Sequence, residues 1–277
     1  MNFTLDKSIL ITDMDNTILS DKLIIEQRDI ESIKKLQELG GHFTVSTGRS
    51  YPMMKRYSKW LGLNETAVLL NGSLIYDYGT DKILWSNTLP KEALDFVSDV
   101  YKAFPEIAIE LLTETEIYVL RENYQSIRHL GRENVEYKFT ELEAMRNKKI
   151  CKVLFALPSE KMPKLDEYVK NNKPNNINYV ISQPVYLELL PIGSTKAEAN
   201  RIMLELTGRA DMKIFAIGDY YNDREMILDA DFGVTVENAP DEIKKISKLI
   251  VSKCEDGAIT DLVEYMINNQ MGERKDG

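Results

Sequence analysis

Two blocks of alternating strand-like and helix-like pattern, one at each end of the chain, constrain the fold more than any other feature. In the first block, short apolar runs at Ser8–Thr12, His42–Ser46 and Ala67–Asn71 are separated by helical spacing at Ile30, Ile33, Leu36 and Leu39 and by the segment Tyr51–Leu61. In the second, Lys196–Leu206 reads as helix, Lys213–Ile217 as strand, Asp223–Leu228 as helix, and Phe232–Val236 and Leu249–Val251 as strands. Such alternation builds a parallel sheet through right-handed crossovers, with helices on both faces. Between the blocks the texture changes. Hairpin-like strands at Leu74–Tyr78, Ile83–Trp85, Ile107–Leu112 and Ile117–Leu120 are followed by further strands at Lys152–Leu157, Ile177–Ile181 and Tyr186–Leu189, with helices among them.

The pattern predicts an α/β core that is discontinuous in sequence, residues 1–73 and 191–277, with an α+β domain inserted as residues 74–190. Asn71-Gly72-Ser73 and Pro191-Ile192-Gly193 carry the turn residues that a domain crossing needs. A chain of 277 residues with 43% hydrophobic content can build such cores, and the charged, small tail 272–277 is expected to fray. A formal charge of -9 argues against a nucleic-acid or anionic-membrane partner, both of which demand clustered Lys and Arg. Cys151 and Cys254 are isolated, which indicates neither a zinc site nor a disulfide framework. With no signal peptide or membrane span, the reading is a cytoplasmic protein whose state, monomer or homodimer, is open.

Chemistry concentrates where strands end. Asp13-Met14-Asp15-Asn16-Thr17 closes the first strand, and Gly218-Asp219-Tyr220-Tyr221-Asn222-Asp223 closes the strand Lys213–Ile217. Ligands of open α/β sheets gather outside the carboxyl ends of strands, so both clusters open on one crevice. Hard carboxylate and carbonyl oxygens suit Mg²⁺, which keeps waters for a substrate phosphate to displace. Two phosphate grips lie between the clusters: Ser46-Thr47-Gly48-Arg49 at the second strand's end, and Lys196 opening a helix after Gly193-Ser194-Thr195. A DxD pair alone also suits a glycosyltransferase metal site, and an acidic pocket with a hydroxyl and a lysine suits a phospho-accepting signalling module.

Together these residues resemble the haloacid dehalogenase superfamily of phosphohydrolases, in the Cof-type group with a large α/β cap. The motifs occur in order: Asp13 to Thr17, Thr47 in Thr-Gly-Arg, Lys196, and Gly218 to Asp223. The resemblance implies a Rossmann-like core and a cap that sets specificity. It also implies a Mg²⁺-dependent phosphatase for a small phosphorylated metabolite such as a sugar phosphate, pyridoxal phosphate, FMN or a nucleotide. By the same resemblance Asp13 is the nucleophile that forms an aspartyl-phosphate, and Asp15 is the general acid/base. Asp13, Asp15, through its carbonyl, and Asp219 ligate the metal, with Asp223 supporting that shell. Thr47, Lys196, Asn222, Asn71, Gly48 and Arg49 are the phosphate or substrate contacts, and transfer to acceptors other than water is the alternative outcome.

The energetics ask for such a set. Phosphate-monoester hydrolysis can need acceleration of ~10²¹, and one good hydrogen-bond donor supplies only about 3 kcal/mol, so several groups must act together. Neighbouring carboxylates are expected to raise the proton affinity of Asp15. Glu237 stands where the family pattern has glycine, which puts the loop Val234–Ala239 in question. His42 and His129 read as structural, Met53, Met54, Met203 and Met226 as core, and Tyr220 and Tyr221 as either packing or the mouth of the site.

Overall fold

A computed structural model describes residues 2–63 and 65–270; the tail 272–277 lies outside the described residues. The first block contains β1 (Ser8–Thr12), α1 (Gln27–Glu38), β2 (His42–Val45), α2 (Tyr51–Trp60), β3 (Thr66–Leu69), β4 (Leu74–Asp77) and β5 (Lys82–Ser86). The middle holds α3 (Glu92–Ala103), β6 (Ala108–Thr113), β7 (Ile117–Arg121), α4 (Tyr124–Glu133), β8 (Lys138–Phe139), β9 (Ile150–Ala156), α5 (Met162–Asn172), β10 (Ile177–Gln183) and β11 (Tyr186–Pro191). The last block adds α6 (Lys196–Leu206), β12 (Lys213–Gly218), α7 (Arg224–Asp229), β13 (Phe232–Val236), α8 (Asp241–Ile246), β14 (Leu249–Val251) and α9 (Ala258–Asn269).

The core sheet has the order β14-β13-β12-β1-β2 and is parallel throughout. Every residue of β1 is buried, as expected of a central strand covered by helices on both faces. On one face, Ile33 and Leu36 of α1 and Ile259, Leu262 and Met266 of α9 join one apolar cluster with Leu10 and Phe43. The buried Asp29 fastens these two helices by accepting from the Thr260 amide at 2.8 Å and its hydroxyl at 2.7 Å. Chain direction through the sheet diverges between β1 and β12, since β1 leads to β2 on one side while β12 leads to β13 and β14 on the other. That divergence opens a crevice at the carboxyl ends of β1 and β12, where both acidic motifs emerge.

β3 continues the core sheet through a single parallel bridge, Ser46 to Val68, and then pairs antiparallel with β4, which pairs with β5. The hairpin 74–86 is therefore hydrogen-bonded to β3 and, among the described residues, forms no ladder with the six-stranded sheet. We propose the segment from about residue 87 to Pro191 as the inserted domain. It carries a six-stranded sheet, β10-β11-β9-β6-β7-β8, antiparallel except where β7 meets β8.

The period of two along a strand sorts this second sheet's faces. Ile109 and Leu111, Val153 and Phe155, and Leu187 and Leu189 pack with Val97 of α3 and Leu165 of α5 in a separate apolar cluster. The opposite face carries Glu110, Lys152 and Glu188, each nearly fully buried, and turns toward the crevice. In register, Glu110 and Glu188 both lie opposite Leu154.

Candidate active site

Asp13 follows β1 directly, and its amide donates to the Ile217 carbonyl of β12 at 2.8 Å, so the ladder that builds the sheet also fixes the first carboxylate. Lys196 is the first residue of α6, whose N-cap is Thr195, the hydroxyl of which accepts from the Glu198 amide. Its ammonium, on a fully buried side chain, donates to Asp13 Oδ1 and to Asp223 Oδ1, each at 2.5 Å. The other oxygen of Asp223 accepts from the amides of Asp219 (3.0 Å) and Tyr220 (3.1 Å). Asp223 thus ties the lysine to the loop that presents Asp219. Gly218 makes this fold-back possible, because a Cβ there would sit 2.3 Å from Asp223 Cγ.

Lys196 is placed from the other side by the turn between β3 and β4, where Leu70, Asn71 and Gly72 take φ of 53°, 54° and 99°. A Cβ on Gly72 would lie 2.3 Å from the Thr195 carbonyl oxygen, so only glycine lets this turn pass under the start of α6.

The electrostatics are those of an anionic cluster in want of cations. Burial pushes the Asp13 carboxyl up to about 7, Lys196 working against that and Asp223 and Asp15 adding to it. Burial, with Asp13 and Asp223, likewise raises Asp219 well above its usual range. Burial opposes the charge on Lys196, but Asp13 and Asp223 outweigh it and hold the ammonium protonated. Asp13, Asp219 and Asp223 each bring a carboxylate oxygen within 4.8 Å of the others. Three hard oxygens under such mutual repulsion fit a divalent cation such as Mg²⁺.

Asp15 departs from expectation. The sequence reading expected neighbouring carboxylates to raise its proton affinity; instead burial is what works to raise it, and Arg49 outweighs burial and draws the carboxyl below the usual carboxylate range. The guanidinium holds Asp15 with two hydrogen bonds, Nε to Oδ2 at 2.8 Å and Nη2 to Oδ1 at 2.6 Å. Its Nη1 lies 2.8 Å from Glu133 Oε2 at the end of α4. Arg49, read from the sequence as a phosphate contact, here pairs with one carboxylate from each domain.

Of the remaining sequence-derived positions, Gly48 and Asn71 bond to the inserted domain. The Thr47 hydroxyl is buried and accepts from the Arg49 amide at 3.2 Å, and the Gly48 carbonyl accepts from Lys152 at 2.6 Å. Asn71 is buried; its amide donates to Glu188 at 2.7 Å, and its carbonyl oxygen accepts from Asn222 at 3.1 Å. The sequence-derived set therefore gathers in one place as two linked groups. Asp13, Lys196, Asp219 and Asp223 form the first, and Arg49, Gly48 and Asn71 form a rim bonded to Asp15 or to the insertion, with Asn222 bonded to Asn71; among the described residues the Thr47 hydroxyl meets only the Arg49 amide and does not line the cavity. Glu237 is exposed and is not among the residues with positive φ, so this loop does not need the family's glycine.

A cavity of about 600 Å³ lies between the domains, with Asp13, Asp15 and Asp219 on its core side. Its other walls were missed by the sequence reading: Arg128, His129, Arg132 and Glu133 of α4, Lys152 and Glu188 of the second sheet, and the β10–β11 turn, Ser182 to Tyr186. His129, read as structural, lines this cavity while its Nδ1 meets Glu110 at 3.2 Å and its ring packs on Tyr186. Tyr220 lines the cavity, whereas Tyr221 is 43% exposed. A signal for Lys152, Glu110 and Glu188 does exist in the sequence: each is a single charge inside an otherwise apolar strand, where an unpaired ion would be costly.

Comparison with known proteins gives matches over most of the chain. The profile of the haloacid dehalogenase-like hydrolase family matches residues 10–263. An HMP-PP phosphatase of Serratia proteamaculans is 26% identical over 265 residues, covering 93% of this chain and 94% of its own. The 5-amino-6-(5-phospho-D-ribitylamino)uracil phosphatase YitU of Bacillus subtilis is 23% identical over 265 residues, covering 93% and 97%. Among solved structures, a haloacid dehalogenase-like hydrolase from Bacteroides thetaiotaomicron aligns with a TM-score of 0.81 at 23% identity, over 94% of this chain and 99% of that one. The subclass IIB sugar phosphatase BT4131 aligns with a TM-score of 0.81 at 16% identity, over 93% and 98%.

Proposed function

The chain belongs to the haloacid dehalogenase-like hydrolases, as a Cof-type phosphohydrolase, and from that premise we propose that it hydrolyses a small phosphomonoester with Mg²⁺ through an aspartyl-phosphate on Asp13. The observation that carries this reading is the buried Asp13–Lys196–Asp223 arrangement beside Asp219, opening on a cavity large enough for a metabolite.

In the first step an Asp13 oxygen forms a bond to phosphorus as the bond from phosphorus to the ester oxygen breaks. Lys196 holds the nucleophile in place and offsets the charge that gathers there. Magnesium, held by Asp13, Asp219 and the loop that Asp223 supports, would supply charge neutralisation between two anions that otherwise repel. Asp15 must bring a proton to the leaving oxygen, a task that its pairing with Arg49 opposes. An arriving phosphate dianion competes for that guanidinium and adds negative charge beside Asp15, and both effects raise the carboxyl's proton affinity. Having given up its proton, Asp15 accepts one from the water that attacks phosphorus in the second step, which releases phosphate and restores Asp13.

The cavity between the core and the inserted domain, about 600 Å³, supports a compact partner. The test is a phosphate-release screen over a panel of phosphorylated metabolites with Mg²⁺, beside an Asp13→Asn control. Release by the native chain and none by the variant is the expected result. Equal release by both would overturn the reading.

A further inference from the structure

We infer that the substrate carries a second anionic group, a carboxylate or another phosphate, which Arg128 and Arg132 of α4 bind from the inserted domain. This deepens the phosphomonoester reading and rests on it.

Five basic side chains line the cavity: Arg49, Arg128, His129, Arg132 and Lys152. Three are matched by carboxylates of the protein. Arg49 has Asp15 and Glu133, Lys152 has Glu188 at 2.9 Å, and His129 has Glu110 at 3.2 Å. Arg128 and Arg132 are different. Neither forms an ion pair with a carboxylate among the described residues, and the one hydrogen bond of Arg132 there is to the backbone carbonyl of Asp21, which also lines the cavity. They stand four residues apart, so on a helix they project from one face about one turn apart.

The helix is built to hold that face steady. Asn123 and Ser126 form a reciprocal capping box at its start, Leu130 packs into the core, and Glu133 is anchored to Arg49, Arg56 and Tyr57 at its end. The cavity lining also carries Asp13, Asp15, Asp21, Glu133, Glu188 and Asp219, yet the two guanidiniums stand side by side on α4 with no carboxylate of the described residues paired to either. Guanidinium favours planar, bidentate recognition of carboxylate or phosphate oxygens. The phosphoryl group that reacts belongs beside Asp13 and Lys196 of the core, whereas α4 lines the cavity from the inserted domain, where a separate anionic group of the same molecule would meet it.

Matched pairs of substrates test this: 3-phosphoglycerate against glycerol 3-phosphate, and 6-phosphogluconate against glucitol 6-phosphate. Within each pair only a carboxylate replaces a hydroxymethyl group. The native chain should show kcat/KM about tenfold or more higher for the acidic member of at least one pair, the order of effect that a charge-assisted hydrogen bond supplies. In Arg128→Gln combined with Arg132→Gln that ratio should fall toward one, chiefly through KM of the acidic member. Arg128→Gln alone, at an exposed position, should lower it partway and guards against a folding defect. Turnover of p-nitrophenyl phosphate with no preference in either pair, or a preference that survives the double substitution, overturns this inference while leaving the phosphatase reading intact. No turnover of any phosphomonoester overturns both.

Discussion

Replacing Glu133 by Gln probes how firmly the inserted domain is docked on the core. The Glu133 side chain is 4% exposed and meets three groups: Arg49 at 2.8 Å, Arg56 at 3.0 Å and the Tyr57 hydroxyl at 3.1 Å. Breaking a buried ion pair outright costs about 3–5 kcal/mol, because the remaining charge is left bare. Here the loss is smaller for reasons visible in the structure. Arg49 keeps its two hydrogen bonds to Asp15, Arg56 is 37% exposed and recovers water, and glutamine still accepts from Tyr57. What remains is the loss of charge from hydrogen bonds to a buried guanidinium, about 1.5–3 kcal/mol. Urea unfolding at pH 7, followed by midpoint with the slope checked for constancy, measures it directly. Arg56→Gln is the comparison: being partly exposed, that pair should contribute less than about 1 kcal/mol. A midpoint for Glu133→Gln equal to that of the native chain, or a cost for Arg56→Gln as large, would refute the claim that burial sets the worth of this contact.

Two further outcomes follow from the geometry. Gly72→Ala combines a φ of 99° with a Cβ placed 2.3 Å from the Thr195 carbonyl, so the turn and the start of α6 must shift. A loss of about 3 kcal/mol or more in urea unfolding, with falling activity as Lys196 moves, is expected, and a variant of native stability would contradict the close approach. In metal-free protein, burial lifts Asp13 from 3.8 to about 7, so between those values the folded state holds a proton that the unfolded chain lacks. Stability from this group therefore declines as pH rises across that window and reaches its floor above about 7. Asp15, whose pKa is lowered by Arg49, acts oppositely and lower, stabilising above the unfolded carboxylate value and losing that contribution as pH falls through its folded value. Melting in EDTA should show this decline in the native chain, with a flatter profile in Asp13→Asn and on adding Mg²⁺. A native profile that rises relative to Asp13→Asn over the window would contradict it.

The core was legible because its strands are apolar runs ended by charge, and the pattern alone recovers the bounds of β1, β13, β14 and α6. The acidic clusters and Lys196 were legible too, since chemistry at the carboxyl ends of parallel strands leaves polar residues where apolar runs stop. What the sequence did not show for the hairpin 74–86 is its partner: alternation reveals a strand but not what it pairs with, and β4 pairs with β3 and β5 with β4. The proton affinity of Asp15 was misjudged for a similar reason. Neighbouring acids are visible in the sequence, whereas the guanidinium that outweighs burial and lowers the carboxyl comes from residue 49 and pairs with Glu133, far along the chain. The cavity wall on α4 was hidden because Arg128, His129 and Arg132 look like the polar face of any surface helix, and only docking against the core turns that face inward.

The most direct test of the whole account is the fate of Asp13 during turnover. Protein mixed with excess phosphomonoester and Mg²⁺, quenched in acid within one turnover and digested, should yield one phosphoryl group on the peptide containing Asp13, absent from Asp13→Asn. Turnover by the native chain with no phosphorylated peptide, or with the phosphoryl group on another residue, would contradict it.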